Sequence, residues 1–325
     1  KPTAIFSGDS LFVGDVGRPD LREDTANVKA SRNELASMMY DTVHDVFSKL
    51  PDDVTVYPAH GPGSLCGKNL SDDLNSSIGK EKKSNWAFNS GDRDAFMKSF
   101  LEGQAFIPQY FANSVELNRR GAPALKSALK NVPIAKRTGI PEGALVIDTR
   151  SISEFRKGYL PHSINIRCEE EDKFETWLGS VVAPGEEFYL AADSLIRLDA
   201  AVYRAAKIGY EGQINGGVAG PVGDKVVAEE IDMQDFTANP ENYTIVDVRN
   251  ASERAESIIF ENSVHIPLNE LRARAGELPN RKPVVVHCAG GSRSAVAYSI
   301  IEMRKENKVY DLGEDIKSFQ ETVKA

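Results

Sequence analysis

The chain has 325 residues, of which 41% are hydrophobic and 27% are charged, proportions that are ordinary for a globular protein of two or three domains. Its formal net charge of -9 argues against a nucleic-acid partner, because neutralising phosphates requires a basic face. No apolar run is long enough to span a membrane, and Cys66, Cys168 and Cys288 are too few and too scattered for a disulfide framework. We therefore expect a cytoplasmic protein without a membrane partner.

Residues 1–135 predict an α/β segment in which strands end in loops rich in glycine and proline. TAIFSGDSLF and VTVYPAHG are the predicted strands, and apolar residues at helical spacing from Leu35 to Leu50 predict a helix between them. The chain enters the first strand at once and has no initial Met, so we expect a fragment of a longer protein. A second helix, RDAFMKSFLEG, precedes a proline-bounded arm, FIPQYFANSVELNRRGAP.

Two side chains at the ends of these strands are candidate metal ligands. Asp9 follows the first strand in SGDSLF, and His60 follows the second in YPAHG. A carboxylate beside glycine at the end of an apolar strand is well placed to bind a hard or borderline cation. The alternative interpretation is that Asp9 only caps a turn.

SGDSLFVGDVGRPDL, VYPAHG and the arm resemble the metal-binding loops and C-terminal arm of the metallo-β-lactamase superfamily, most closely its persulfide dioxygenase and glyoxalase II-like members. The resemblance implies the C-terminal part of an αββα sandwich in which Asp9 binds Fe(II), with zinc as the alternative metal. His60 matches the residue that binds a second metal in dinuclear relatives. Arg18 and Asp20, in GRPD, match a loop beside the site.

The same resemblance implies an incomplete metal site. The superfamily's H-x-H-x-D-H motif does not occur in this sequence. A catalytic metal needs about three protein ligands. We therefore expect the missing ligands to precede Lys1 and this chain to be unable to complete the iron site.

The rest of the chain contains an internal repeat. ALVIDTRSISEF and YTIVDVRNASER are both apolar strands that end in Asp-x-Arg, and each is followed by the polar start of a helix. The motif residues are Asp148, Arg150, Asp247 and Arg249. Strands that alternate with helices predict parallel sheets covered on both faces. We place a first copy at residues 136–222 and a second copy at 228–325, with the boundary near residues 218–225.

The second copy contains VHCAGGSRS, in which a predicted strand runs into Cys288 and Arg293 before a helix. In such sheets, chemistry collects at the carboxyl ends of the strands. Glycines permit the backbone N–H groups to surround the sulfur, and both the helix N-terminus and Arg293 add positive charge. This environment favours the thiolate, the reactive form of cysteine, whereas the alternative is a small buried core residue. The residues expected to surround the sulfur are Ala289, Gly290, Gly291, Ser292 and Ser294.

CAGGSRS resembles the active-site loop of the rhodaneses, and the resemblance covers residues 228–325. It implies a sulfurtransferase in which Cys288 takes a sulfane sulfur from a donor, becomes a persulfide and passes the sulfur to a thiol or cyanide. Four residues separate Cys288 from Arg293, which favours sulfur over phosphate because the related dual-specificity phosphatases have a loop one residue longer. The expected substrates are small persulfides, thiosulfate or thiols.

The first copy departs from this pattern. Aligning Arg197 with Arg293 places Ala192 at the position of Cys288, so we interpret this copy as a degenerate rhodanese-like domain that acts in packing or as a spacer. Cys168 lies elsewhere in the copy, and we interpret it as structural.

Three functions follow from these patterns. The first is an enzyme of sulfide and persulfide metabolism, in which an iron-dependent dioxygenase domain oxidises a low-molecular-weight persulfide to sulfite and the tethered rhodanese moves sulfane sulfur through Cys288. The second is a glyoxalase II-like dinuclear zinc hydrolase with accessory rhodanese domains, which His60 keeps open. The third is a non-catalytic persulfide-binding module. A homo-oligomer is compatible with all three.

Overall fold

The computed structural model describes residues 2–22, 30–62, 64–68, 70–104, 106–133, 140–220, 226–304 and 307–324. The chain divides into two compact units, Lys1–Ile107 and Pro108–Ala325. The predicted boundary at residues 218–225 lies mostly outside the described residues, as does the predicted start of the first copy at residue 136. No helix within the described ranges is both long and apolar enough to cross a membrane.

The first unit combines a small mixed sheet with short helices. Its strands are β1 (Ala4–Gly8), β2 (Thr55–Pro58) and β3 (Ser76–Ser77), with β1 parallel and β3 antiparallel to the central β2. Its α-helices are α1 (Arg32–Asp41), α2 (Ile78–Ser84) and α3 (Arg93–Leu101). Shorter turns of 3₁₀- or π-helix are Asp20–Arg22, Thr42–Val46, Phe47–Lys49 and Trp86–Phe88. The strands and helices predicted for this segment are therefore present.

A buried polar network holds the loops of the first unit in place. The Asp15 carboxylate accepts hydrogen bonds from the Trp86 indole (2.7 Å) and the Lys68 backbone N–H (2.6 Å). The Glu81 carboxylate, which is fully buried, accepts from the Gly14 N–H and the Asn85 side chain. Buried polar groups of this kind stabilise a fold only when they are paired, so these bonds fix the loop that follows β1 against the loop that follows β2.

The second unit contains two parallel sheets with the same strand order. The sheet of the first copy has the order β5-β4-β6-β7, and that of the second copy has the order β9-β8-β10-β11. The strands are β4 (Val146–Asp148), β5 (Ser163–Asn165), β6 (Phe188–Ala192), β7 (Ile214–Ala219), β8 (Thr244–Asp247), β9 (Val264–His265), β10 (Val284–His287) and β11 (Val309–Asp311). The equal topology bears out the internal repeat and the α/β class predicted from the sequence.

Helices connect these strands. In the first half of the unit the helices are α4 (Tyr110–Arg120), α5 (Leu125–Lys130), α6 (Ile152–Arg156), α7 (Phe174–Val181) and α8 (Leu195–Ala206). In the second half they are α9 (Met233–Ala238), α10 (Ala251–Glu256), α11 (Leu268–Arg274), α12 (Ser292–Glu302) and α13 (Ile316–Lys324). Turns of 3₁₀-helix are Glu211–Gln213, Pro240–Asn242, Ala275–Glu277 and Gly313–Asp315.

The arm that the sequence places at the end of the first domain lies in the second compact unit. Gln109 donates a side-chain hydrogen bond to the Ser180 carbonyl at 3.1 Å, and Tyr110 packs against the core of the repeats. These contacts attach α4 to the first copy. The domain limits proposed from the sequence remain predictions.

The Asp-x-Arg motif is a buried ion pair in both copies. Arg249 donates two hydrogen bonds to the Asp247 carboxylate and a third to the Ser257 carbonyl at 2.8 Å. Arg150 pairs with Asp148 in the same way. Burial raises the pKa of the Asp247 carboxyl, but hydrogen bonds from Arg249 outweigh it and hold that pKa below its usual value. The motif therefore ties the end of the first strand to the chain that follows the next helix.

The two copies share a continuous hydrophobic core. Helix α12 of the second copy packs against β5, the edge strand of the first copy. Ser299 on this helix accepts a hydrogen bond from the Asn165 N–H at 3.1 Å, and the hydroxyl groups of Tyr298 and Tyr159 lie 3.1 Å apart. The helix that follows Cys288 is thus held from both copies.

Replacing Asp247 with Ala should lower the free energy of unfolding by about 3–5 kcal/mol at pH 7, because the buried Arg249 charge loses its partner. Because the pKa of Asp247 is depressed on folding, this stabilisation is present above the unfolded value of about 3.9 and is lost as the pH falls through the folded value. Urea denaturation of both proteins at neutral and acidic pH measures the difference.

The matched control is Glu229→Ala, which removes an exposed pair with Lys308 in the same unit. Exposed pairs contribute about 0–1 kcal/mol, so this variant should unfold close to wild type. Equal losses in the two variants would contradict a structural role for the buried motif.

Candidate functional site

Cys288 lies immediately after β10, at the carboxyl end of the sheet, and is 1% exposed. Its Sγ accepts a hydrogen bond from the Gly291 N–H at 3.1 Å, and the Ser294 hydroxyl oxygen lies 3.7 Å from the sulfur. We call residues 288–294 the cysteine loop. The sulfur therefore sits at the N-terminus of α12, where backbone donors and the helix dipole favour a negative charge.

The loop turns at Gly291, which has a φ of 96° and is the residue before α12. A Cβ at this position would lie 3.1 Å from the Gly313 carbonyl carbon, so both the backbone angle and the space require glycine. Gly290 does not have a positive φ, and a Cβ there would meet open space. The expectation that both glycines are needed for the backbone angles is therefore wrong for Gly290.

Arg293 is engaged by a carboxylate as well as by the sulfur. Its guanidinium donates two hydrogen bonds to Glu253, at 2.5 and 2.6 Å, and also contacts Cys288. Burial raises the pKa of Glu253, but Arg293 outweighs it and holds that pKa below its usual value. The positive charge that the sequence assigns to Arg293 is thus partly compensated.

Glu253 is a site residue that sequence reasoning missed. Its side chain also accepts the Asn250 N–H at 3.0 Å, which closes a capping box at the start of α10. The pattern Asn-x-x-Glu after the Asp-x-Arg strand was the available signal. That pattern predicts a helix start and does not indicate the contact with Arg293, which is 40 residues away in the chain.

His287 precedes Cys288 and is fully buried. Burial lowers the pKa of its imidazole to about 4, although Asp247 opposes the change. The ring is therefore neutral at pH 7 and adds no positive charge beneath the sulfur. Its Nε2 makes no hydrogen bond to the described residues.

The outer side of the cysteine loop is open to small molecules. Ala289, Gly290 and Ser292 are exposed, whereas Gly291 and Ser294 are buried. A cleft of about 200 Å³ adjoins the loop, and its lining residues are Arg249, Glu253, Glu256, Ser257, Ile259, Ala289 and Gln320. Its size suits a small sulfur compound rather than a macromolecule.

The equivalent loop of the first copy differs in length as well as in chemistry. Strand register pairs Ala191 with Asp148 and His287 with Asp247, so Ala192 occupies the place of Cys288, as the sequence alignment predicts. Helix α8 starts at Leu195 and α12 at Ser292, which leaves the first loop one residue shorter. The Ser194 hydroxyl accepts a hydrogen bond from the Arg197 N–H at the start of α8. That N–H is therefore not available to bind an anion.

Cys168 is buried in the first copy, 8% exposed. Burial raises the pKa of its thiol to about 11, with Arg204 opposing the change. The thiol is therefore protonated and unreactive at neutral pH, in agreement with a structural role.

The first unit brings three candidate metal ligands together. Parallel pairing of β1 with β2 places Asp9 and His60 at the same sheet edge, where Asp9 Oδ1 lies 3.2 Å from His60 Nδ1. Cys66 joins them, and one ligand atom from each residue lies within 4.8 Å of the others. The sequence indicates Asp9 and His60 but not Cys66, which follows His60 in an irregular loop.

These residues fit a metal ion. His60 Nδ1 is buried and makes no hydrogen bond to any residue that the structure describes, despite its closeness to the Asp9 carboxylate. A thiolate, an imidazole and a carboxylate suit zinc or iron, and such donors bind at about 2.0–2.3 Å. With Cys66 the site has three candidate side chains, whereas the sequence suggests two. The ligand assignment itself remains a prediction.

Arg18 and Asp20 of the GRPD motif lie beside this cluster. Their role at a metal site remains a prediction. Arg18 donates to both oxygens of Asp20, at 2.7 and 2.6 Å, and to the Leu65 carbonyl at 3.1 Å. Its own N–H donates to the Cys66 carbonyl at 3.1 Å. A Cβ at Gly17 would lie 1.7 Å from the Asp9 carbonyl oxygen, so only glycine lets this loop cross behind Asp9. The motif therefore supports the position of Cys66.

Known proteins resemble both parts of the chain. Residues 232–322 match the family model of the rhodanese-like domain. A protein named Sulfurtransferase from Allochromatium vinosum is 27% identical over 89 residues, which are 26% of this chain and 82% of that protein. The crystal structure of a rhodanese-related protein from Thermoplasma volcanium is 34% identical and has a TM-score of 0.26, covering 29% of this chain and 92% of that one.

The crystal structure of a metallo-beta-lactamase from Staphylococcus aureus subsp. aureus COL is 30% identical and has a TM-score of 0.57. The similarity covers 67% of this chain, which spans 60% of the length of that structure. These likenesses confirm the fold class and the two resemblances stated from the sequence. Residues 232–322 are thus a rhodanese-like domain that carries the cysteine loop, and the chain is similar to a metallo-beta-lactamase over 67% of its length.

Proposed function

We propose that the second copy is a sulfurtransferase that carries sulfane sulfur on Cys288. The observation that carries this proposal is the sulfur's position at the N-terminus of α12, 3.1 Å from the Gly291 N–H. A small cleft adjoins the loop at Ala289. The rhodanese-like family match and the likeness to a sulfurtransferase support the same assignment. The chain thus belongs to sulfur metabolism.

With thiosulfate as donor, the Cys288 thiolate attacks the outer sulfur, a sulfur–sulfur bond forms, and the bond to the sulfonate breaks with its electron pair. Sulfite leaves, and Cys288 becomes a persulfide. Cyanide or a thiolate then attacks the terminal sulfur, and the leaving group is the original Cys288 thiolate. Thiocyanate or a new persulfide is released, so no external oxidant or reductant is needed.

The loop residues have distinct tasks in this cycle. The Gly291 N–H and the helix N-terminus stabilise the thiolate, which is both the nucleophile and the final leaving group. Arg293 contacts the same sulfur and is held in place by Glu253. His287, the residue before Cys288, is neutral at pH 7, so the positive charge near the sulfur comes from the loop itself.

Cys288→Ser should reduce thiosulfate:cyanide transfer to the uncatalysed background, because a serine hydroxyl cannot carry sulfane sulfur. Release of thiocyanate measures the rate. Cys168→Ser is the matched control, since it removes another buried thiol and should leave the rate unchanged. A Cys288→Ser variant with wild-type activity would exclude the proposed cycle.

Arg293→Gln should lower kcat/KM for thiosulfate by roughly 100-fold, the size of effect seen when one charge-stabilising donor is removed from an active site. The variant also leaves the Glu253 carboxylate without its arginine, so its negative charge near the loop is no longer compensated. The double variant Arg293→Gln/Glu253→Gln should therefore be less impaired than the single variant. A double variant slower than the single one would contradict this account.

We further propose that Asp9, His60 and Cys66 hold a metal ion in the first unit, and that the intact metal domain oxidises a low-molecular-weight persulfide to sulfite. The balanced reaction is RSSH + O₂ + H₂O → RSH + SO₃²⁻ + 2 H⁺, in which the sulfane sulfur loses four electrons to dioxygen. Bound Fe(II) would supply the activation of dioxygen. Support comes from the cluster geometry and from the likeness to a metallo-beta-lactamase.

The alternative is a dinuclear zinc hydrolase of the glyoxalase II type. The observation that favours it is the donor set, since a thiolate beside an imidazole suits zinc as well as iron. Metal content separates the two, because the dioxygenase needs one iron per chain and the hydrolase needs two zinc ions.

This chain should bind about one transition-metal ion, and Cys66→Ala should weaken that binding by at least tenfold, because only two side-chain ligands would remain. Titration with Fe(II) or Zn(II) under anaerobic conditions, followed by elemental analysis, measures both values. Cys168→Ala is the control and should bind metal as wild type does. Equal affinity in the two variants would remove Cys66 from the site.

A further inference from the structure

An arginine of the first copy forms an ion pair with a buried carboxylate of the second copy. Arg156, the last residue of α6, donates its Nη2 to the Asp311 carboxylate at 2.7 Å and to the Asp311 carbonyl at 3.2 Å. Asp311 is the last residue of β11 in the second copy. The two residues are 155 positions apart in the sequence, and the contact crosses the interface between the copies.

Asp311 lies directly behind the cysteine loop. Its side chain is 2% exposed, and its other carboxylate oxygen accepts the Gly313 N–H at 2.8 Å. In the loop, the Ser294 hydroxyl donates a hydrogen bond to the Gly291 carbonyl at 3.0 Å. Ser294 in turn lies 3.7 Å from the Cys288 sulfur.

The turn at residues 311–313, which Asp311 stabilises, packs against the cysteine loop at Gly291. A Cβ at Gly291 would lie 3.1 Å from the Gly313 carbonyl carbon and 3.3 Å from the Glu314 nitrogen. A Cβ at Gly313 would lie 3.5 Å from the Arg156 guanidinium. The turn at residues 311–313 therefore lies between Arg156 and Gly291, which is the residue that donates its N–H to the sulfur.

Arg156 supplies the positive charge that pairs with the buried Asp311 carboxylate. Burial raises the pKa of the Asp311 carboxyl, and Arg156 opposes that rise. A buried carboxylate that loses its cation must either take up a proton or move toward water. Either change alters the hydrogen bond from the Gly313 N–H.

We propose that the Cys-less first copy completes the sulfurtransferase site of the second copy, with Arg156 as a positioning residue that holds Asp311, Gly313 and thereby Gly291 in place. This inference rests on the proposed function of Cys288. It replaces the interpretation of the first copy as a spacer with a defined contribution to the reaction.

The experiment compares substitutions at Arg156 with a matched substitution at another arginine that crosses the same interface. Arg272 donates two hydrogen bonds of 2.6 Å to Glu186 and one to the Val181 carbonyl, so it joins the copies without touching the cysteine loop. The variants of the full chain are Arg156→Gln, Arg156→Lys and Arg272→Gln. The measurements are kcat and KM for thiosulfate:cyanide transfer, the rate at which iodoacetamide alkylates Cys288, and the thermal unfolding midpoint.

Arg156→Gln should lower kcat by about tenfold with little change in KM, since small displacements of a reacting group cost up to a hundredfold. Alkylation of Cys288 should slow in parallel, which a merely structural loss would not cause. Arg156→Lys should fall between Arg156→Gln and wild type, about threefold slow, because lysine keeps the charge but not the forked contact. Arg272→Gln should stay within twofold of wild type even where its unfolding midpoint drops equally.

Arg156→Gln with a kcat within twofold of Arg272→Gln would overturn the inference while leaving the role of Cys288 intact. If Arg156→Gln does not fold, Arg156→Lys decides, and a wild-type kcat in that variant overturns the inference. Failure of the proposed function is a separate result, since it requires sulfur transfer by Cys288→Ser.

Discussion

The bond between the Gly291 N–H and the Cys288 sulfur is the constraint on which the rest of the site depends. It requires a positive φ at residue 291, and the wall formed by Gly313 leaves no room there for a side chain. That geometry starts α12 at the next residue, which directs the helix N-terminus at the sulfur and brings Arg293 and Ser294 beside it. One backbone conformation thus sets the nucleophile's electrostatic environment.

Charged side chains around the loop come as pairs. Arg293 is bound by Glu253, Asp247 by Arg249, and Asp311 by Arg156. Such pairing satisfies buried charges, but it also limits the net positive field that any one arginine adds at the sulfur. The hydrogen bond that the structure gives the sulfur as acceptor comes from the backbone, at Gly291, while the ion pairs surround the loop. Because Asp247 and Asp311 each pair with an arginine of their own, both carboxylates can lie near a loop that itself contains a single arginine, Arg293.

The sequence predicts what is local and misses what depends on distance in space. The strands, the repeat, the position of Cys288 and the match of Ala192 to it follow from patterns within about ten residues. The contacts of Glu253 and Arg156 have no such signal, because their partners lie 40 and 155 residues away in the chain. Cys66 is close to His60 in the chain, but an irregular loop places it and no periodic pattern predicts its direction. Gly290 shows the opposite error: a glycine pair suggests two special backbone angles, yet the turn uses one.

The two copies have unequal parts in one site. The first copy has Ala192 in place of Cys288, and the Ser194 hydroxyl accepts the Arg197 N–H at the start of α8. The first copy nevertheless contacts the second copy at two places. Asn165, on its edge strand β5, donates a hydrogen bond to Ser299 on α12, and Arg156, at the end of α6, pairs with Asp311 behind the cysteine loop. The second copy cannot be separated from these contacts without exposing part of a shared core and a buried carboxylate. The two copies are therefore better described as one packed unit, in which contacts from the first copy lie behind the cysteine loop of the second, than as a domain joined to a spacer.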